Sequence, residues 1–337
     1  MKPQVTLIPG DGVGPEIISA AVRVFDAAGA EVEWDEQIAG LVAFEKGLPP
    51  LPDETVESIT RNELALKGPL TTPVGHGFRS INVTLRKTFD LFANLRPART
   101  MVSGGRYEDI DIVVVRENTE GLYVGVEHYI GVEDDPKAAA ESVMIVTRYG
   151  SRRIALFAFE YAASHDRKKV TVVHKANILK YTQGLFLDVA REVARDYADR
   201  VEFEDRIVDN TAMQLVLDPY QFDVIVTENM FGDILSEQIS GLIGGVGLAP
   251  GANIGRDAAI FEAVHGSAPD IAGQGIANPA AIMLAGCMLF EHIGQREMAA
   301  RVRQAIAEAL KAGVRTRDLG GSATTTEFTD RVLQELD

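Results

Sequence analysis

Two arginines and two small polar residues in one short segment predict a site for a small anion. Arg86 and Arg96 stand ten residues apart, preceded by Ser80 and Asn82, in a chain whose net charge is −16. The planar guanidinium group binds a carboxylate through two parallel hydrogen bonds. We therefore interpret this segment as a pocket for a molecule that carries several negative charges.

Three acidic residues in otherwise apolar or small-residue segments indicate a divalent cation. Asp209 lies in IVDNTAMQLV, and Asp233 and Glu237 lie in NMFGDILSEQ. The last two are four residues apart, so a helix would place both side chains on one side. Carboxylate oxygens are hard ligands of the kind that Mg²⁺ or Mn²⁺ prefers. Taken alone, such a pair also fits a solvated helix surface.

Strand ends supply further candidates for proton transfer and anion binding. Lys175 and Asn177 end KVTVVHKAN, and Arg116 ends IDIVVVREN. Lys175 could act as a general base and Tyr123, after ENTEG, as a proton donor. Individually, such a lysine is more often a surface charge, and such a tyrosine more often only packs. Together with the arginines and carboxylates, they indicate metal-assisted chemistry on a carboxylated alcohol or ketone.

The elements that must position these residues follow an alternating pattern. Strand-like runs precede helical stretches, which predicts an α/β protein with parallel strands. The strand-like runs are at 5–9, 110–118, 169–177 and 222–229. Pro15 marks the start of the first helix. Helices are also predicted at 278–293, 296–312 and 325–336.

The stretch between Tyr123 and Gly150 differs from that alternation. YVGVEHYIGV and ESVMIVTRYG are strand-like, and the polar DDPKAAA interrupts them. This pattern predicts a protruding hairpin arm, a feature that often mediates oligomerisation.

Two glycine-rich stretches need separate interpretation. GDGVGPE at 10–16 departs from the dinucleotide fingerprint G-x-G-x-x-G, so it does not indicate a Rossmann fold. GLIGGVGLAPGANIG at 241–255 fits equally a long loop that lets the backbone approach a ligand and a purely structural turn.

The composition indicates an acidic globular protein. Its 337 residues, 46% of them hydrophobic, suffice for a sizeable core and about two domains. An excess of 49 Asp and Glu over 33 Lys and Arg disfavours nucleic acid and anionic membranes as partners, although it also fits mere solubility. With no membrane-spanning run or signal-peptide pattern, we expect a cytoplasmic location. Cys287, the only cysteine, is expected to be an inert buried thiol.

The chain resembles the family of β-decarboxylating hydroxyacid dehydrogenases, which includes isocitrate, 3-isopropylmalate and homoisocitrate dehydrogenases. The most specific matching segments are LRKTFDLFANLRP, RENTEGLY, KANILK, NMFGDILSE and HGSAPDIAGQGIANP. The resemblance implies the two-domain α/β fold of this family, with parallel and mixed sheets flanked by helices and a dimerisation arm at about 124–149. The implied domains are a large cofactor-binding domain of 1–98 and 243–337 and a small dimerisation and metal-binding domain of 99–242.

The resemblance also implies roles for individual residues. The catalytic pair would be Tyr123 and Lys175, and the metal ligands would be Asp209, Asp233 and Glu237, although the family commonly has aspartate at position 237. In such enzymes the lysine and the aspartate at 209 come from the neighbouring subunit, so a homodimer or a higher homo-oligomer is implied. The implied substrate-binding residues are Ser80, Asn82, Arg86, Arg96, Arg116, Tyr123, Lys175, Asn177 and Asp209.

NAD is the cofactor that the resemblance implies. Asp270 can accept hydrogen bonds from both ribose hydroxyls and would repel a 2′-phosphate, whereas relatives that use NADP have a basic residue and a tyrosine in place of Asp270 and Ile271. His265 matches an adenine-side contact. Without the resemblance, it would equally fit a histidine that packs in the core or in a turn. The implied NAD-binding residues are Leu70, Thr72, Asn82, Glu262, His265, Gly266, Ser267, Ala268, Asp270, Ile271 and Asn278.

The opening segment favours isocitrate as substrate. Isopropylmalate relatives are leucine-rich where this chain has Ser80-Ile81-Asn82, and a third carboxylate suits these polar side chains better than an isopropyl group does. Homoisocitrate relatives tend to have an extra arginine near Val83, where this chain offers only Arg79. We therefore expect NAD-dependent and Mg²⁺- or Mn²⁺-dependent oxidative decarboxylation of isocitrate. The alternatives are homoisocitrate or 3-isopropylmalate dehydrogenase, and a non-catalytic regulatory subunit that binds citrate-like anions.

Overall fold

The computed structural model describes residues 2–72, 80–102 and 105–336. The chain divides into two compact units. The first comprises Met1–Leu91, Arg96–Ile110 and Ser240–Asp337, and the second comprises Phe92–Leu95 and Asp111–Ile239. The predicted domain boundaries at 98/99 and 242/243 stay a prediction.

The strands and helices alternate along most of the chain. The strands are β1 (Gln4–Ile8), β2 (Glu33–Glu36), β3 (Leu64–Lys67), β4 (Ala93–Arg99), β5 (Asp111–Glu117), β6 (Glu127–Val132), β7 (Asp135–Ser142), β8 (Lys169–His174), β9 (Glu202–Ile207), β10 (Val224–Thr227), β11 (Pro250–Ile254) and β12 (Ala259–Ala263). The helices are α1 (Gly14–Ala27), α2 (Leu41–Glu45), α3 (Asp53–Asn62), α4 (Ile81–Thr88), α5 (Arg148–Ser164), α6 (Thr182–Ala194), α7 (Val208–Leu217), α8 (Asn229–Leu242), α9 (Ala280–His292), α10 (Arg296–Lys311) and α11 (Thr325–Gln334).

The first unit contains a mixed sheet with the strand order β2-β1-β3-β12-β11. The β1 strand is parallel to β2 and β3, β12 is parallel to β3, and β11 is antiparallel to β12. Helix α9, buried from Ala280 to Phe290, packs on β11, β12 and β3. A helix that is apolar on all sides belongs in a core, and α1 and α10 cover α9.

The second unit contains a parallel sheet with the order β5-β10-β8-β9. Its central strands are continuous apolar runs, as expected for strands buried on both faces, with Val224 of β10 paired to Val113 and Val170. Helix α5 packs on β5, β10 and β8, and α6 packs on α5. Because parallel strands end at the same edge, Arg116 on β5 and Lys175 after β8 lie at one edge of this sheet.

These arrangements confirm the predicted α/β class with parallel and mixed sheets flanked by helices. Pro15 lies in the first turn of α1, and the three C-terminal helices form where they were predicted. Cys287 is buried as a free thiol, and burial raises its pKa to about 12, so it is unreactive as expected. Within the part of the chain that is described, no helix has the length and apolar character needed to cross a membrane.

The predicted arm is a hairpin, but its strands differ from those expected. The strands β6 and β7 pair antiparallel, and every residue in them is exposed. The polar DPKAAA segment, expected to interrupt the hairpin, forms most of β7, because the turn comes earlier, at Glu133, whose φ is 50°. The expected second strand at 141–150 is wrong beyond Ser142. Thr147 accepts a hydrogen bond from the Gly150 amide and so begins α5.

The second glycine-rich stretch is partly a strand. Residues 250–254 form β11, and Ala252 and Asn253 are buried in its pairing with β12. Interpretation of the whole stretch 241–255 as loop or turn is therefore wrong at its end. The Pro and Gly residues of this stretch have low strand propensity, so the local sequence does not predict a strand. The strand forms because β12 pairs with it through backbone hydrogen bonds.

Candidate active site

The end of β5, the start of α8 and a 3₁₀ turn at Leu122–Val124 bring three predicted site residues together. Arg116 is 1% exposed, and its Nη1 lies 2.5 Å from Asp233 Oδ1. Its Nε and Nη2 donate to the Asn229 carbonyl and side-chain oxygens at 2.9 and 2.7 Å. The Tyr123 hydroxyl donates to Asp233 Oδ2 at 3.2 Å. Arg116 thus orients the carboxylate that Tyr123 contacts.

Glycine at position 232 makes this arrangement possible. A Cβ atom on Gly232 would lie 2.5 Å from Cγ of Arg116. Because real Cβ atoms do not approach other atoms so closely, any larger residue in the first turn of α8 would displace the arginine. The segment NMFGD therefore encodes both the carboxylate and the space for the side chain that holds it.

The environment of Tyr123 keeps its hydroxyl protonated. Burial raises the pKa of Tyr123, and the negative charge of Asp233 raises it further. Both effects disfavour the phenolate. The side chain is nevertheless 41% exposed, so a bound molecule can reach it. These properties suit a residue that donates a proton at neutral pH.

Lys175 and Asp209 form a second pair. Lys175 follows the end of β8, Asp209 lies in the first turn of α7, and the Lys175 Nζ donates to Asp209 Oδ1. The hydrogen bond from Lys175 lowers the pKa of Asp209. Asp209 is 66% exposed at its side chain and Lys175 is 26% exposed, while Asn177 is exposed. This pair therefore faces solvent in a single chain.

The three predicted metal ligands do not assemble within one chain. Asp233 and Glu237 lie four residues apart on α8, but Asp209 is paired with Lys175. Among residues 2–72, 80–102 and 105–336, no three His, Cys, Asp or Glu side chains are grouped so that they could hold a metal ion. Two carboxylates on one side of a helix still form a hard oxygen ligand set that fits Mg²⁺ or Mn²⁺. The metal-binding roles stay predictions.

The predicted anion pocket in the first unit has polar atoms available for a ligand. Asn82 and Arg86 lie on α4 and line a cavity of about 10 Å³. The Asn82 Oδ1 and Arg86 Nε atoms are buried and have no hydrogen-bond partner in the described part of the chain. Ser80 precedes α4 and is half-buried, and Arg96 on β4 is 9% exposed. Arg79 falls outside the described residues.

Glu262, predicted to contact the cofactor, forms a buried ion pair. Its Oε2 lies 2.6 Å from Lys67 Nζ, and its Oε1 accepts from Asn253 at 2.7 Å. Burial alone would raise its pKa, but the charges of Lys67 and Arg86 outweigh burial and lower the pKa to about 2. Lys67 was missed from the sequence, although a lysine that ends the apolar strand β3 is a signal for such a buried pair.

The loop after β12 carries the predicted adenosine contacts. The Asp270 side chain is exposed, and within the described residues no group donates to its carboxylate. The Nδ1 of His265 donates to the Gly266 carbonyl at 3.0 Å, which leaves the buried Nε2 as an acceptor without a described partner. An acceptor of this kind matches an adenine amino group. In contrast, Asn278 donates to Asp318 at 2.9 Å and accepts from the Ala280 amide.

The first glycine-rich stretch supports the loop after β12. The Val13 amide donates to the Ser267 carbonyl at 2.9 Å, and a Cβ on Gly12, whose φ is 60°, would clash with that carbonyl. The Asp11 carboxylate, also missed from the sequence, accepts from the Thr71 amide at 2.7 Å and from two α2 amides.

The remaining predicted cofactor residues differ in exposure. Leu70 is buried in a hydrophobic cluster, whereas Thr72 and Gly266 are exposed. Ala268 and Ile271 are half-buried, and Ala268 has a positive φ of 39°. The contacts between these residues and NAD stay predictions.

Comparisons with known proteins agree over nearly the whole chain. The model of the isocitrate/isopropylmalate dehydrogenase family matches residues 4–332. The chain is 46% identical over 334 residues to isocitrate dehydrogenase [NAD] catalytic subunit 5, mitochondrial, of Arabidopsis thaliana, covering 98% of this chain and 88% of the relative. It is 47% identical over 336 residues to a mitochondrial regulatory subunit of NAD isocitrate dehydrogenase from Dictyostelium discoideum, covering 99% and 92%.

A solved structure is similarly close. The crystal structure of isocitrate dehydrogenase from Methylococcus capsulatus superposes with a TM-score of 0.95 at 54% identity and covers 99% of both chains. This likeness confirms the predicted two-domain fold.

The predicted cellular location is wrong. Both curated relatives are named as mitochondrial proteins, which contradicts the expected cytoplasmic location. The expectation rested only on the lack of a recognisable targeting or membrane-spanning pattern, and such a lack carries no positive information about the compartment.

Proposed function

Because the chain belongs to the isocitrate/isopropylmalate dehydrogenase family, we propose that it oxidises isocitrate with NAD to 2-oxoglutarate, CO₂ and NADH. One observation carries the proposal. Tyr123, Asp233, Lys175 and Asp209 are all present and oriented by hydrogen bonds, in a chain 46% identical to a catalytic subunit of NAD-dependent isocitrate dehydrogenase.

Isocitrate is the substrate best supported by the residues of the anion pocket. Arg86 has a buried N–H donor without a partner in the described chain, as a carboxylate-binding residue should. Ser80 and Asn82 offer polar groups where an isopropyl group would need apolar ones. Arg86 and Arg96 would bind carboxylates that all substrates of the family share, and Ser80 and Asn82 would select the third.

The proposed chemistry assigns the two proton transfers to different residues. Lys175, positioned by Asp209, would accept the substrate hydroxyl proton, and NAD, when bound, would supply the hydride acceptor. Loss of CO₂ from the resulting β-keto acid leaves an enolate. The Tyr123 hydroxyl would then protonate the enolate carbon, because its environment keeps the proton on the oxygen at neutral pH.

A divalent cation completes the proposal. Mg²⁺ or Mn²⁺, when bound, supplies Lewis-acid stabilisation of negative charge on the substrate oxygens. Asp233 and Glu237 would hold it together with Asp209 of a neighbouring copy. Glutamate at 237 is one methylene longer than the aspartate common in the family. We therefore expect Glu237 to bind the cation more weakly than Asp209 and Asp233 do.

NAD specificity is assigned to Asp270. Its exposed carboxylate can accept hydrogen bonds from the two adenosine ribose hydroxyls and would repel a 2′-phosphate. Ile271, its neighbour, offers no hydroxyl or charge to a phosphate. The acceptor nitrogen of His265 supports an adenine contact next to this position.

Exposed apolar side chains near the Lys175–Asp209 pair support assembly with a second chain. Ile178 and Tyr181, which follow Lys175, are 65% and 92% exposed, and Leu217 at the end of α7 is 63% exposed. Large contiguous apolar patches are rare on monomeric proteins and mark interaction surfaces. We propose a homodimer in which Lys175 and Asp209 of one chain act with Tyr123 and Asp233 of the other. Light scattering of the purified chain measures this directly.

A regulatory role is the second candidate, because the relative at 47% identity is named as regulatory. Identity alone therefore does not separate the two roles. The presence of Tyr123, Lys175, Asp209 and Asp233 favours the catalytic one.

The deciding experiment is NADH formation by the purified chain alone, with Mg²⁺ and isocitrate, homoisocitrate or 3-isopropylmalate. We expect the highest kcat/KM for isocitrate with NAD. No turnover without a partner subunit would favour the regulatory role, and a preference for 3-isopropylmalate would overturn the assignment of Ser80 and Asn82.

A further inference from the structure

We propose that His174 is a positioning residue that fixes the backbone turn carrying Lys175 and Asn177. It does so as a single neutral tautomer, held between the turn itself and Asp205 on the neighbouring strand. The inference rests on the proposed function, because that function makes Lys175 the base. His174 has no role in the chemistry described above, and its ring is buried, with 6% of the side chain exposed.

The two ring nitrogens of His174 have different partners. Nδ1 lies 3.0 Å from the backbone nitrogen of Ala176, and Nε2 lies 3.2 Å from Asp205 Oδ1. An amide N–H can only donate, so Nδ1 must be the unprotonated acceptor. The proton of the neutral ring is therefore on Nε2, from which it is donated to Asp205. The two contacts together select one tautomer.

Asp205 is itself held in place from the other side. Its Oδ2 accepts from Arg191 Nη2 at 3.0 Å, and Arg191 lies on α6. Asp205 belongs to β9, which pairs in parallel with β8. In this pairing Asp205 lies opposite Val172, and His174 lies opposite Ile207. A chain of hydrogen bonds thus runs from α6 through β9 to the turn after β8. This chain ties the turn to two elements of the folded unit.

The turn is also fixed through the backbone of Lys175. Its amide donates to Gln183 Oε1 at 3.2 Å, and its carbonyl accepts from the amides of Ile178 and Leu179 at 3.1 and 2.9 Å. The Ala176 amide is the next donor along, between Lys175 and Asn177. Without the His174 acceptor, that amide would lose its partner and the peptide plane could rotate. A shift of about 1 Å in a catalytic group can cost roughly 10²-fold in rate.

Two substitutions separate the contacts of His174. Asparagine can accept from the amide two residues later, so His174→Asn keeps the bond to Ala176 and loses the one to Asp205. His174→Phe keeps a planar ring of similar size and loses both bonds. We expect His174→Phe to lower kcat about 10- to 100-fold with little change in KM for NAD, and His174→Asn to recover most of the loss. His165→Asn, at an exposed histidine of the same unit, is the matched control.

Two measurements on the full chain do not depend on turnover. In ¹⁵N NMR spectra, His174 should show a protonated Nε2 and an unprotonated Nδ1 at neutral pH. Hydrogen exchange of the Ala176 amide should be slow in the wild type and in His174→Asn, and at least about tenfold faster in His174→Phe. If His174→Phe folds poorly, the tautomer of the wild-type ring still decides the inference, because that measurement needs no variant.

The outcomes of this experiment are distinguishable. A wild-type chain that does not oxidise isocitrate refutes the proposed function, and the tautomer and Ala176 exchange then decide the positioning role alone. An active wild type with an unchanged kcat in His174→Phe overturns the inference and leaves the proposed function intact. A ring protonated on Nδ1, or an Ala176 amide that exchanges equally fast in all variants, overturns it as well.

Discussion

The hydroxyl of Tyr123 donates to one oxygen of Asp233 at 3.2 Å, and the other oxygen of Asp233 is held by Arg116 at 2.5 Å. A proton donor and a carboxylate proposed as a metal ligand are thus oriented by one buried arginine. The resemblance implied only a substrate contact for Arg116. Its burial and its bonds to Asn229 and Asp233 give it a structural task in the single chain as well.

Removing the Tyr123 hydroxyl should lower turnover far more than binding. We expect Tyr123→Phe to reduce kcat about 10²- to 10⁴-fold, the usual contribution of general acid catalysis, with a small change in KM for isocitrate. Steady-state NADH formation measures this, and Tyr220→Phe, at an exposed tyrosine of the same unit, is the control. An undiminished kcat would show that another group protonates the product.

Removing the Lys175 amine should nearly abolish turnover. We expect kcat of Lys175→Ala to fall at least about 10³-fold, because no other group would accept the hydroxyl proton, while isocitrate still binds through the arginines. Calorimetry of isocitrate binding together with NADH formation separates the two effects. Lys168→Ala removes an exposed lysine of the same unit and should behave like the wild type. Turnover that survives Lys175→Ala would refute the assigned base.

Reversing the charge at the proposed ribose site should change the cofactor preference. Asp270→Lys combined with Ile271→Tyr removes the ribose acceptor and supplies partners for a 2′-phosphate. One charge-assisted hydrogen bond contributes about 1.5–3 kcal/mol, so the ratio of kcat/KM for NADP over NAD should rise tenfold or more. Asp257→Lys, which changes the charge of an exposed loop residue elsewhere in the first unit, should leave the ratio unchanged. An unchanged ratio in the double variant would contradict the role of Asp270.

The buried Glu262–Lys67 pair should make stability fall in acid. Burial opposes ionisation of Glu262, but Lys67 and Arg86 lower its pKa from 4.5 to about 2. A lowered pKa stabilises the fold above pH 4.5, and this contribution is lost as the pH falls from 4.5 to about 2. The shift corresponds to about 3 kcal/mol as an upper limit.

Glu262→Gln tests that contribution by denaturant unfolding. At pH 7 the variant should unfold with a free energy lower by about 2–4 kcal/mol, because Lys67 is left buried without its partner. The difference from the wild type should shrink as the pH falls below 4.5. The control is Glu57→Gln, at an exposed position on α3. Equal stabilities at pH 7 would mean that the pair contributes nothing net.

Adding one methyl group at position 232 should displace Arg116 and so weaken its contact with Asp233. Gly232→Ala places Cβ 2.5 Å from Cγ of Arg116, so Arg116 must move and its hold on Asp233 weakens. We expect both Tm and kcat to fall. Gly184→Ala is the matched control, since a Cβ on that helical glycine meets nothing within 4 Å and should stabilise by up to about 1 kcal/mol. Two variants of equal stability would contradict the close packing described here.

Local sequence patterns were sufficient to predict much of the fold. The apolar runs that became β5, β8 and β10 are readable because a strand buried on both faces needs apolar residues at every position. Helix α9 is readable as a long apolar run, and α10 and α11 are readable because their buried apolar residues recur at helical spacing. The hairpin strand β7 and the strand β11 were not, because their residues have weak strand propensity and pair only through a partner strand.

The sequence by itself determined the fold class, the family and the residue types of the site, since these depend on motifs such as NMFGDILSE and HGSAPDIAGQGIANP that are contiguous in the chain. Only the tertiary structure decided which side chains hold one another. Arg116 and Asn229 are 113 residues apart, and the bonds between Lys67 and Glu262 and between His174 and Asp205 also join different strands. Such pairs form only when folding brings distant strand ends together. Burial then makes an unpaired charge or donor costly, and no local pattern carries that information.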